Sequence, residues 1–423
     1  MSDNAMKRDL LLRLVCGGRH HEVGEQSNCL GESDWDWIAE RAQQYRLFPL
    51  LHAWFEDHEI ETAPAALQEQ CKAVVRLESF QALQKQQALL QISELFGRSE
   101  IQYAALKGVP LALQYYSAAA LRPMRDIDVL VSPKQALSAY ELLKQHGFTK
   151  LPSKMEHGLE QGHHLPLLLS PDGVGIEIHH TVGPRSWAGA VILAKRLLAN
   201  AYETEWQGCK VWLVDPTDNL LHLTAHASLQ HLFDNGPIVL ADLHALFASG
   251  DIDWLVLERE ARALGLAPAL SLLLKLLERY GSFAGEDIET LYRVPDLAIE
   301  QAANLMVQEP ALVWHRDYLR RHIDQSITGR LLTGLRRALH PKPVDMARTA
   351  NAEIHGLARW WYYPHWLVQK AERFLVTSRD PALQSQAKLD CALQEWLDPS
   401  RPGLNLLGRS TLELRKRRRR VRA

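Results

Sequence analysis

Two aspartates, Asp126 and Asp128, stand one residue apart in the apolar run 126–131 of the sequence. Side chains on a β-strand alternate between its two faces, so this spacing places both carboxylates on one face. Such a pair can hold a divalent cation, and hard oxygen ligands favour Mg²⁺ or Mn²⁺. The same pair is also typical of the solvent-facing edge of a half-buried strand, so other residues must decide between the two interpretations.

A cation and a glycine precede this pair at Lys107 and Gly108. A glycine lets the backbone approach a ligand closely, and the amide groups at the start of a helix attract phosphate. Arg122 and Arg125 lie beside the aspartates and could hold triphosphate oxygens, although Arg125 could equally pair with a neighbouring acid at a surface turn. Together these residues predict a site for a phosphate-bearing substrate.

A third carboxylate is expected from a β-hairpin over residues 165–180, where two apolar runs flank a Ser-Pro-Asp-Gly turn. In its second strand Glu177 and His179 share a face, so His179 could orient Glu177 or be a hydrogen-bonded structural histidine. If this strand lies beside the aspartate strand, Asp126, Asp128 and Glu177 form one three-carboxylate set. Such a set suits a metal that bridges nucleotide phosphates, with the third carboxylate as ligand or general base. The residues therefore predict phosphoryl or nucleotidyl transfer.

Two histidines further along the chain, His222 and His226, are four residues apart on a predicted helix, a spacing that zinc ligands use. No third ligand accompanies them at a fixed spacing. His226 and Asp242 could instead contact the acceptor substrate, and capping or hydrogen bonding in the core is the alternative for both. With His179, they are the possible substrate-side residues of the predicted site.

The elements that must position these residues follow from the spacing of apolar residues and from turn signals. The N-terminal part is predicted to be helical. The elements expected after it are strand 101–106, helix 109–116, strand 127–131, a helix from Pro133 to His146 capped by Ser132, the hairpin, strand 209–214, and helices from Pro216 onwards with Thr217 as the first cap.

This order predicts an α+β fold, in which a small mixed β-sheet with flanking helices is embedded between N- and C-terminal helical regions. The expected parts are an N-terminal helical region over 1–97, a catalytic core over 98–215, a helical substrate-side domain over 216–300, a C-terminal helical region over 301–409, and a basic, disordered tail over 410–423.

Composition limits the classes of protein to consider. The five cysteines are widely spaced and contain no CxxC pair, which favours a reducing cytoplasm. The apolar stretch 266–277 is too short to cross a membrane, so no transmembrane segment is expected. The sequence also lacks the GxxxxGK[ST], GxGxxG, GxSxG and HExxH motifs, which argues against P-loop, Rossmann, α/β-hydrolase and zincin proteins.

Charge is unevenly distributed, because seven cations stand in the segment 415–422 while the whole chain carries a net charge of −2. Like charges without apolar anchors are typical of a solvated, disordered terminus. A weak contact with nucleic acid or an anionic membrane is the alternative, and the aromatic cluster 360–366 is compatible with a place at the inner face of the membrane.

The motifs resemble a known family. Four segments carry the resemblance: Leu-Lys-Gly at 106–108, Leu-Arg-Pro-Met-Arg-Asp-Ile-Asp-Val-Leu-Val at 121–131, His-Gly-Phe at 146–148 and Ile-Glu-Ile-His at 176–179. They are similar to the uncharacterised bacterial nucleotidyltransferases, a branch of the DNA polymerase β-like nucleotidyltransferase superfamily. The resemblance extends over about residues 30–300.

This resemblance implies transfer of a nucleoside monophosphate from an NTP to an acceptor, with release of pyrophosphate. Asp126 and Asp128 match the metal-binding Asp-x-Asp, Glu177 matches the later strand carboxylate, and Gly108 matches the glycine that opens the phosphate-facing helix. Lys107 stands in a Lys-Gly-Val sequence where the wider superfamily has Gly-Gly or Gly-Ser, and the interval to the aspartates is longer. The Lys107 ammonium could compensate for the missing serine hydroxyl.

The acceptor stays open between a small molecule, a saccharide or lipid intermediate, a protein side chain and an RNA end. Two other functions fit the same residues. One is a binding module that keeps the nucleotidyltransferase fold without activity, and the other is a nucleotidyltransferase-like toxin or regulator acting on RNA or protein.

Overall fold

The computed structural model describes residues 3–18, 20–57, 63–151, 162–281, 291–322 and 361–398. Within these residues the chain forms two compact units, one running up to Val307 and the other from Gln308 to Trp396. The basic segment 415–422 lies outside the described residues, as does the first residue of the aromatic cluster. Contact of the tail with a membrane or nucleic acid therefore stays a prediction.

Helices open the first unit. Their bounds are α1 Asp3–Val15, α2 His20–Ser27, α3 Glu32–Tyr45, α4 Phe48–Asp57 and α5 Ala65–Arg98. Where the chain enters α5, Pro64 supplies an extended residue immediately before the first helical turn.

The described strands form one seven-stranded mixed sheet in the order β3-β4-β5-β2-β1-β7-β6. The strands are β1 Tyr103–Ala105, β2 Asp126–Val131, β3 Thr149–Lys150, β4 Leu168–Leu169, β5 Gly175–His179, β6 Tyr202–Trp206 and β7 Cys209–Leu213. Helices α6 Gly108–Gln114, α7 Ala136–Gln145 and α8 Gly189–Ala199 alternate with them. A mixed sheet with flanking helices confirms the predicted α+β class.

Helices fill the rest of the described chain. In the first unit these are α9 Pro216–Ala225, α10 Ile238–Ser249, α11 Trp254–Ala263, α12 Ala267–Tyr280 and α13 Asp296–Met306, and in the second α14 Pro310–His322, α15 Tyr363–Arg379 and α16 Pro381–Leu397. In the second unit, Arg316 of α14 and Asp390 of α16 form a buried ion pair. None of the helices in the described parts of the chain combines the length and apolar character needed to cross a bilayer.

The alternation predicted for the central strands is confirmed. One face carries Ile127, Val129 and Val131 of β2 and Ile176 and Ile178 of β5, all of them buried in one hydrophobic core. Each such side chain contributes about 1.5–3 kcal/mol to folding. The burial of these five aliphatic residues forces the polar residues between them onto the opposite face of the sheet.

Strands β2 and β5 pair in parallel, with Asp128 opposite Glu177. The predicted hairpin places β5 there, because β4 and β5 are antiparallel neighbours. Its turn closes where the Gly173 N–H donates to the Ser170 carbonyl at 2.9 Å, with Gly173 at φ +81°. The strand that carries Glu177 therefore lies beside the strand that carries Asp126 and Asp128, as the predicted three-carboxylate set requires.

Two predicted caps are wrong. Helix α7 begins at Ala136, because residues 133–135 form a turn and the Ser132 hydroxyl donates to the Gln135 side chain. At the start of α9 the cap is Asp215, whose carboxylate accepts the Asp218 N–H at 3.1 Å. Thr217 lies inside the helix, and its hydroxyl accepts a backbone N–H from Asp253.

Gly236 marks a tight contact between α3 and the loop that precedes α10. It has φ +97°, and a Cβ atom there would lie 2.5 Å from the Tyr45 ring. Gly208 has a similar φ of +77° with open space around it. An alanine at either glycine would strain the backbone, but only an alanine at Gly236 would also overlap a neighbouring side chain. A comparison of the two positions therefore distinguishes the cost of strain from the cost of overlap.

We expect Gly236→Ala to lower the free energy of unfolding by about 2–4 kcal/mol, because strain and overlap add. Gly208→Ala, the matched control, should cost only about 1 kcal/mol from backbone strain. Urea denaturation followed by circular dichroism measures both values. Equal losses in the two variants would contradict the packing of Gly236 against Tyr45.

Candidate functional site

Asp128 is the centre of the polar face of the sheet. It is buried, with 6% of its surface exposed, and its Oδ1 atom accepts two hydrogen bonds. Lys107 Nζ donates one at 2.7 Å, and His179 Nε2 donates the other at 2.7 Å. Two donors from separate parts of the chain therefore meet on one carboxylate oxygen.

Glu177 lies next to this group on β5. Its Oε2 atom is 3.3 Å from His179 Nε2, so the imidazole bridges the two carboxylates. Asp126 starts β2, two residues before Asp128 and on the same face. The structure thus brings together Lys107 and the four acidic and imidazole side chains that the sequence singled out.

The electrostatics of the carboxylates differ. Burial raises the pKa of Asp126, and repulsion from Asp128 and Glu177 raises it further, to about 6. Burial also disfavours the charge on Asp128, but Lys107 and His179 outweigh it and hold the pKa of Asp128 well below its ordinary value. One carboxylate is thus strongly stabilised in its charged form while its neighbour on the same strand is not.

His179 and Glu177 stabilise each other's charge. Burial and the Lys107 ammonium oppose protonation of His179, but its hydrogen bonds to Asp128 and Glu177 prevail and raise its pKa. Burial likewise opposes the charge on Glu177, and the His179 hydrogen bond lowers the pKa of Glu177 below its usual value. The polar face is a compact set of paired charges.

Lys107 has an unusual backbone conformation for a residue with a side chain, with φ 53° and ψ −114° immediately before α6. A non-glycine residue in such a region costs about 1–3 kcal/mol and is found chiefly at functional sites. Lys107 is held by its Nζ bond to Asp128, and the Asn219 side-chain amide donates to its carbonyl at 3.4 Å. Neighbours on β2 and α9 therefore hold Lys107 in this glycine-like backbone conformation.

Gly108 opens α6 with little space around it. A Cβ atom there would lie 2.9 Å from Met124 Cγ and 3.2 Å from Arg122 Nη1. Arg125, by contrast, is exposed. Of the two predicted phosphate-binding arginines, Arg122 therefore packs against the start of α6, and Arg125 lies at the surface.

Arg122 also belongs to a buried network with Asp242 of α10. Its Nε and Nη2 atoms donate to the two Asp242 carboxylate oxygens at 2.7 and 2.8 Å, and the Tyr116 hydroxyl donates to Asp242 Oδ1 at 2.8 Å. Asp242 is 1% exposed. This bidentate ion pair joins the sheet region to the helices that follow it. Asp242, which the sequence predicted to be a substrate-side residue, is thus already paired with an arginine.

A cavity borders this network. Its volume of about 580 Å³ is within the range of small-molecule binding sites. Tyr116 belongs both to the cavity wall and to the Asp242 network. Leu14, Trp54, Tyr115 and His244 also line it. The cavity is thus enclosed by α1, α4, α10 and the end of α6.

Sequence reasoning missed two histidines at the site. The rings of His163 and His164 each lie 5.4 Å from the His179 ring, and His164 Nε2 is 3.9 Å from Glu177 Oε1. Burial, and then the positive charges of His179, His164 and Lys107, lower the pKa of His163 to about 3. A β-bridge between His164 and His179 brings the pair to the site, and local periodicity gives no sign of that pairing.

His226 stands in the π-helical turn His226–Gln230 that follows α9. Its ring is 6.2 Å from that of His222 and 4.6 Å from that of His231. Burial lowers the pKa of both His222 and His226 well below the ordinary value, and the charge of Lys107 lowers them further. Both imidazoles are therefore neutral groups on the helical side of the site, with His222 buried and His226 half-buried.

The residues around Asp128 fit a divalent cation. Asp128, Glu177 and His179 each present a ligand atom, and the three atoms lie within 4.8 Å of one another. Within the described ranges no other group of three such residues meets this condition, so His222 and His226 do not form a zinc site with a third ligand there. The donor set suits a metal of the kind that binds nucleotide phosphates.

Residues 31–281 match a family described as uncharacterised nucleotidyltransferases. The match covers more than half of the chain and includes the sheet, Lys107 and the three carboxylates. The chain belongs to this family. Membership supports a general nucleotidyltransferase role, and such a role implies an NTP substrate and usually a divalent metal. A comparison with curated proteins finds no match.

The buried ion pair between Arg122 and Asp242 gives a prediction about the stability of this chain. Asp242→Asn should lower the free energy of unfolding by about 3–5 kcal/mol, because it leaves the Arg122 guanidinium buried without its counter-charge. The double variant Arg122→Met with Asp242→Leu should lose less than Asp242→Asn alone, since it removes both charges. A double-mutant cycle in urea, built from Arg122→Met, Asp242→Leu and the double variant, measures the coupling, and additive losses would show that the pair contributes none.

The raised pKa of Asp126 gives a second prediction. A folded-state pKa of about 6, above an unfolded value of about 3.9, means that this group costs stability as the pH rises through 6. In chelator, Asp126→Asn should therefore be more stable than the natural chain at pH 8, by about 1–2 kcal/mol, with little difference near pH 4. Asp36→Asn, at an exposed helical position, is the control. A gain that does not change with pH would contradict this electrostatic account.

Proposed function

We propose that this chain transfers a nucleoside monophosphate from an NTP to a hydroxyl-bearing acceptor and releases pyrophosphate, with Mg²⁺ or Mn²⁺ as cofactor. One observation carries the proposal. Asp128 lies opposite Glu177 on paired parallel strands, with the Lys107 ammonium 2.7 Å from Asp128 Oδ1. Family membership supports the same reaction class.

Asp126, Asp128 and Glu177 are the residues proposed to hold the cation. A divalent cation bound there would neutralise charge on the transferring phosphoryl group and lower the pKa of the acceptor hydroxyl. Glu177 is the carboxylate at the more open end of the set, with about a fifth of its side chain exposed against 9% for Asp128. That exposure favours Glu177 as the group that takes the hydroxyl proton.

Lys107 and Gly108 are proposed to face the triphosphate. Lys107 immediately precedes α6, where backbone N–H groups also favour negative charge, and its ammonium group lies beside Asp128. The ammonium would stabilise the charge that builds up on the departing pyrophosphate. Arg125 is exposed and free to approach phosphate, whereas Arg122 would act by fixing the start of α6.

In the transfer itself, an acceptor oxygen attacks the α-phosphorus of the NTP. A P–O bond to the acceptor forms, the bond to the β-phosphate oxygen breaks, and pyrophosphate leaves with that electron pair. The acceptor proton passes to the Glu177 carboxylate. His226 is proposed to contact the acceptor, and Asp242 to position that side of the site through Arg122.

A binding module without catalytic activity is the second candidate. Lys107 and His179 together already balance the charge of Asp128 with no cation present. A nucleotide-binding protein that has lost catalytic activity would need the same pairing, because its buried carboxylate would have no cation to balance it. A cytoplasmic location is proposed for either function, supported by cysteines that form no disulfide among the described residues.

Nucleotide binding separates these possibilities from a protein without a nucleotide site. We expect calorimetry to show NTP binding that requires Mg²⁺ or Mn²⁺, and Asp128→Asn to abolish the metal-dependent part. Lys107→Met should weaken NTP binding by about tenfold or more, because it removes a charge from phosphate. Lys144→Met removes a surface lysine paired with Glu141 and should leave binding unchanged.

Transfer is tested with α-³²P-labelled NTPs incubated with metabolite, lipid, protein and RNA fractions. We expect label in one fraction together with pyrophosphate release, both lost in Asp128→Asn with Glu177→Gln. Metal-dependent NTP binding without any transfer would favour the binding module. Absence of metal-dependent binding would overturn the proposed function.

A further inference from the structure

His179 is placed among the metal-binding carboxylates as a ligand would be. Its Nε2 atom is 2.7 Å from Asp128 Oδ1 and 3.3 Å from Glu177 Oε2. Asp126 is not part of the set of ligand atoms within 4.8 Å of one another, whereas His179 is. The tightest donor set on this face is therefore two carboxylates and one imidazole.

The imidazole cannot easily turn away from this position. His179 is 1% exposed and ends β5, whose backbone is paired with β2. The rings of His163 and His164 pack at 5.4 Å from it. Its Nδ1 atom is buried with no hydrogen-bond partner among the residues described, so only Nε2 is directed into a polar group. A nitrogen atom is thus fixed at the site in advance.

A nitrogen ligand changes which cation the site prefers. Mg²⁺ prefers an all-oxygen shell, whereas first-row transition ions also accept imidazole nitrogen. Zn²⁺ favours four ligands in tetrahedral geometry, which leaves little room for additional phosphate oxygens. Mn²⁺ takes hard oxygen ligands in octahedral geometry, as Mg²⁺ does, and belongs to the transition series that binds mixed nitrogen and oxygen sites.

We propose that the cation of this site is Mn²⁺, bound through Nε2 of His179 together with carboxylate oxygens of Asp128 and Glu177. On binding, Nε2 gives up to solvent the proton that it otherwise donates to Asp128, and its lone pair takes the cation. The inference rests on the proposed function, which places a divalent cation on this face. It goes further by assigning a nitrogen ligand and a preference over Mg²⁺. His164 Nε2, 3.9 Å from Glu177 Oε1, is the nearest further imidazole and would support that carboxylate.

Pulsed electron paramagnetic resonance tests the ligand directly, because nitrogen bound to Mn²⁺ modulates the electron spin echo. The full-length chain is stripped with chelator and given less than one equivalent of Mn²⁺, with no nucleotide. We expect ¹⁴N modulation in the natural chain, replaced by the ¹⁵N pattern when only histidine is ¹⁵N-labelled. The labelled natural chain keeps the test valid even if a variant misfolds.

Variants then identify the histidine. His179→Gln should lose the nitrogen modulation and bind Mn²⁺ at least about tenfold more weakly. His146→Gln, which changes an exposed histidine on the α7 side of the sheet, should keep both. Competition should show that Mg²⁺ displaces Mn²⁺ from the natural chain only at an excess of roughly tenfold or more.

The outcomes separate this inference from the proposed function. Bound Mn²⁺ without nitrogen modulation, or equal affinity for Mg²⁺ and Mn²⁺, would overturn the inference while metal-dependent NTP binding still supports nucleotidyl transfer. Tight Zn²⁺ binding that excludes Mn²⁺ would overturn the choice of ion. Nitrogen modulation that persists in His179→Gln would overturn the assignment of the ligand.

Discussion

The buried carboxylate of Asp128 is the constraint on which the site depends. A carboxylate with so little contact with water is stable in its charged form only if donors satisfy it. Its two donors come from the start of α6 and from β5, so one oxygen atom ties three neighbouring parts of the fold together. The same requirement explains why Lys107 tolerates a glycine-like backbone, since relaxing it would draw the ammonium away from Asp128.

A second buried charge fixes the helical side of the molecule. Asp242 of α10 accepts hydrogen bonds from Nε and Nη2 of Arg122 and from the Tyr116 hydroxyl, and both of these partners are remote from α10 in sequence. Arg122 also abuts the place where a side chain at Gly108 would stand. The ion pair therefore fixes the start of α6 relative to α10. Arg122, which the sequence predicted to bind phosphate, acts in the structure as a support for the start of the helix that is proposed to face phosphate.

Local patterns were sufficient for part of this structure. Alternation in β2 and in the hairpin predicted which face carries Asp128 and Glu177, because the aliphatic residues next to them in sequence enter one hydrophobic core on the opposite face. Long-range pairings could not be predicted in this way. The Arg122–Asp242 bond and the β-bridge that brings His164 to His179 depend on how distant elements pack. The capping prediction also failed at Ser132, because a turn precedes the helix and the Ser132 hydroxyl donates to the Gln135 side chain in that turn.

The register of β2 against β5 has a consequence for how this protein can change. A slip of one residue would exchange the two faces of β5, sending Glu177 and His179 into the hydrophobic interior and Ile176 and Ile178 to the polar face. The same backbone hydrogen bonds between β2 and β5 therefore determine which side chains enter the hydrophobic core and which form the candidate site. A substitution at Glu177 or His179 leaves this ladder in place, whereas a one-residue slip would move the site and expose the aliphatic core residues at the same time.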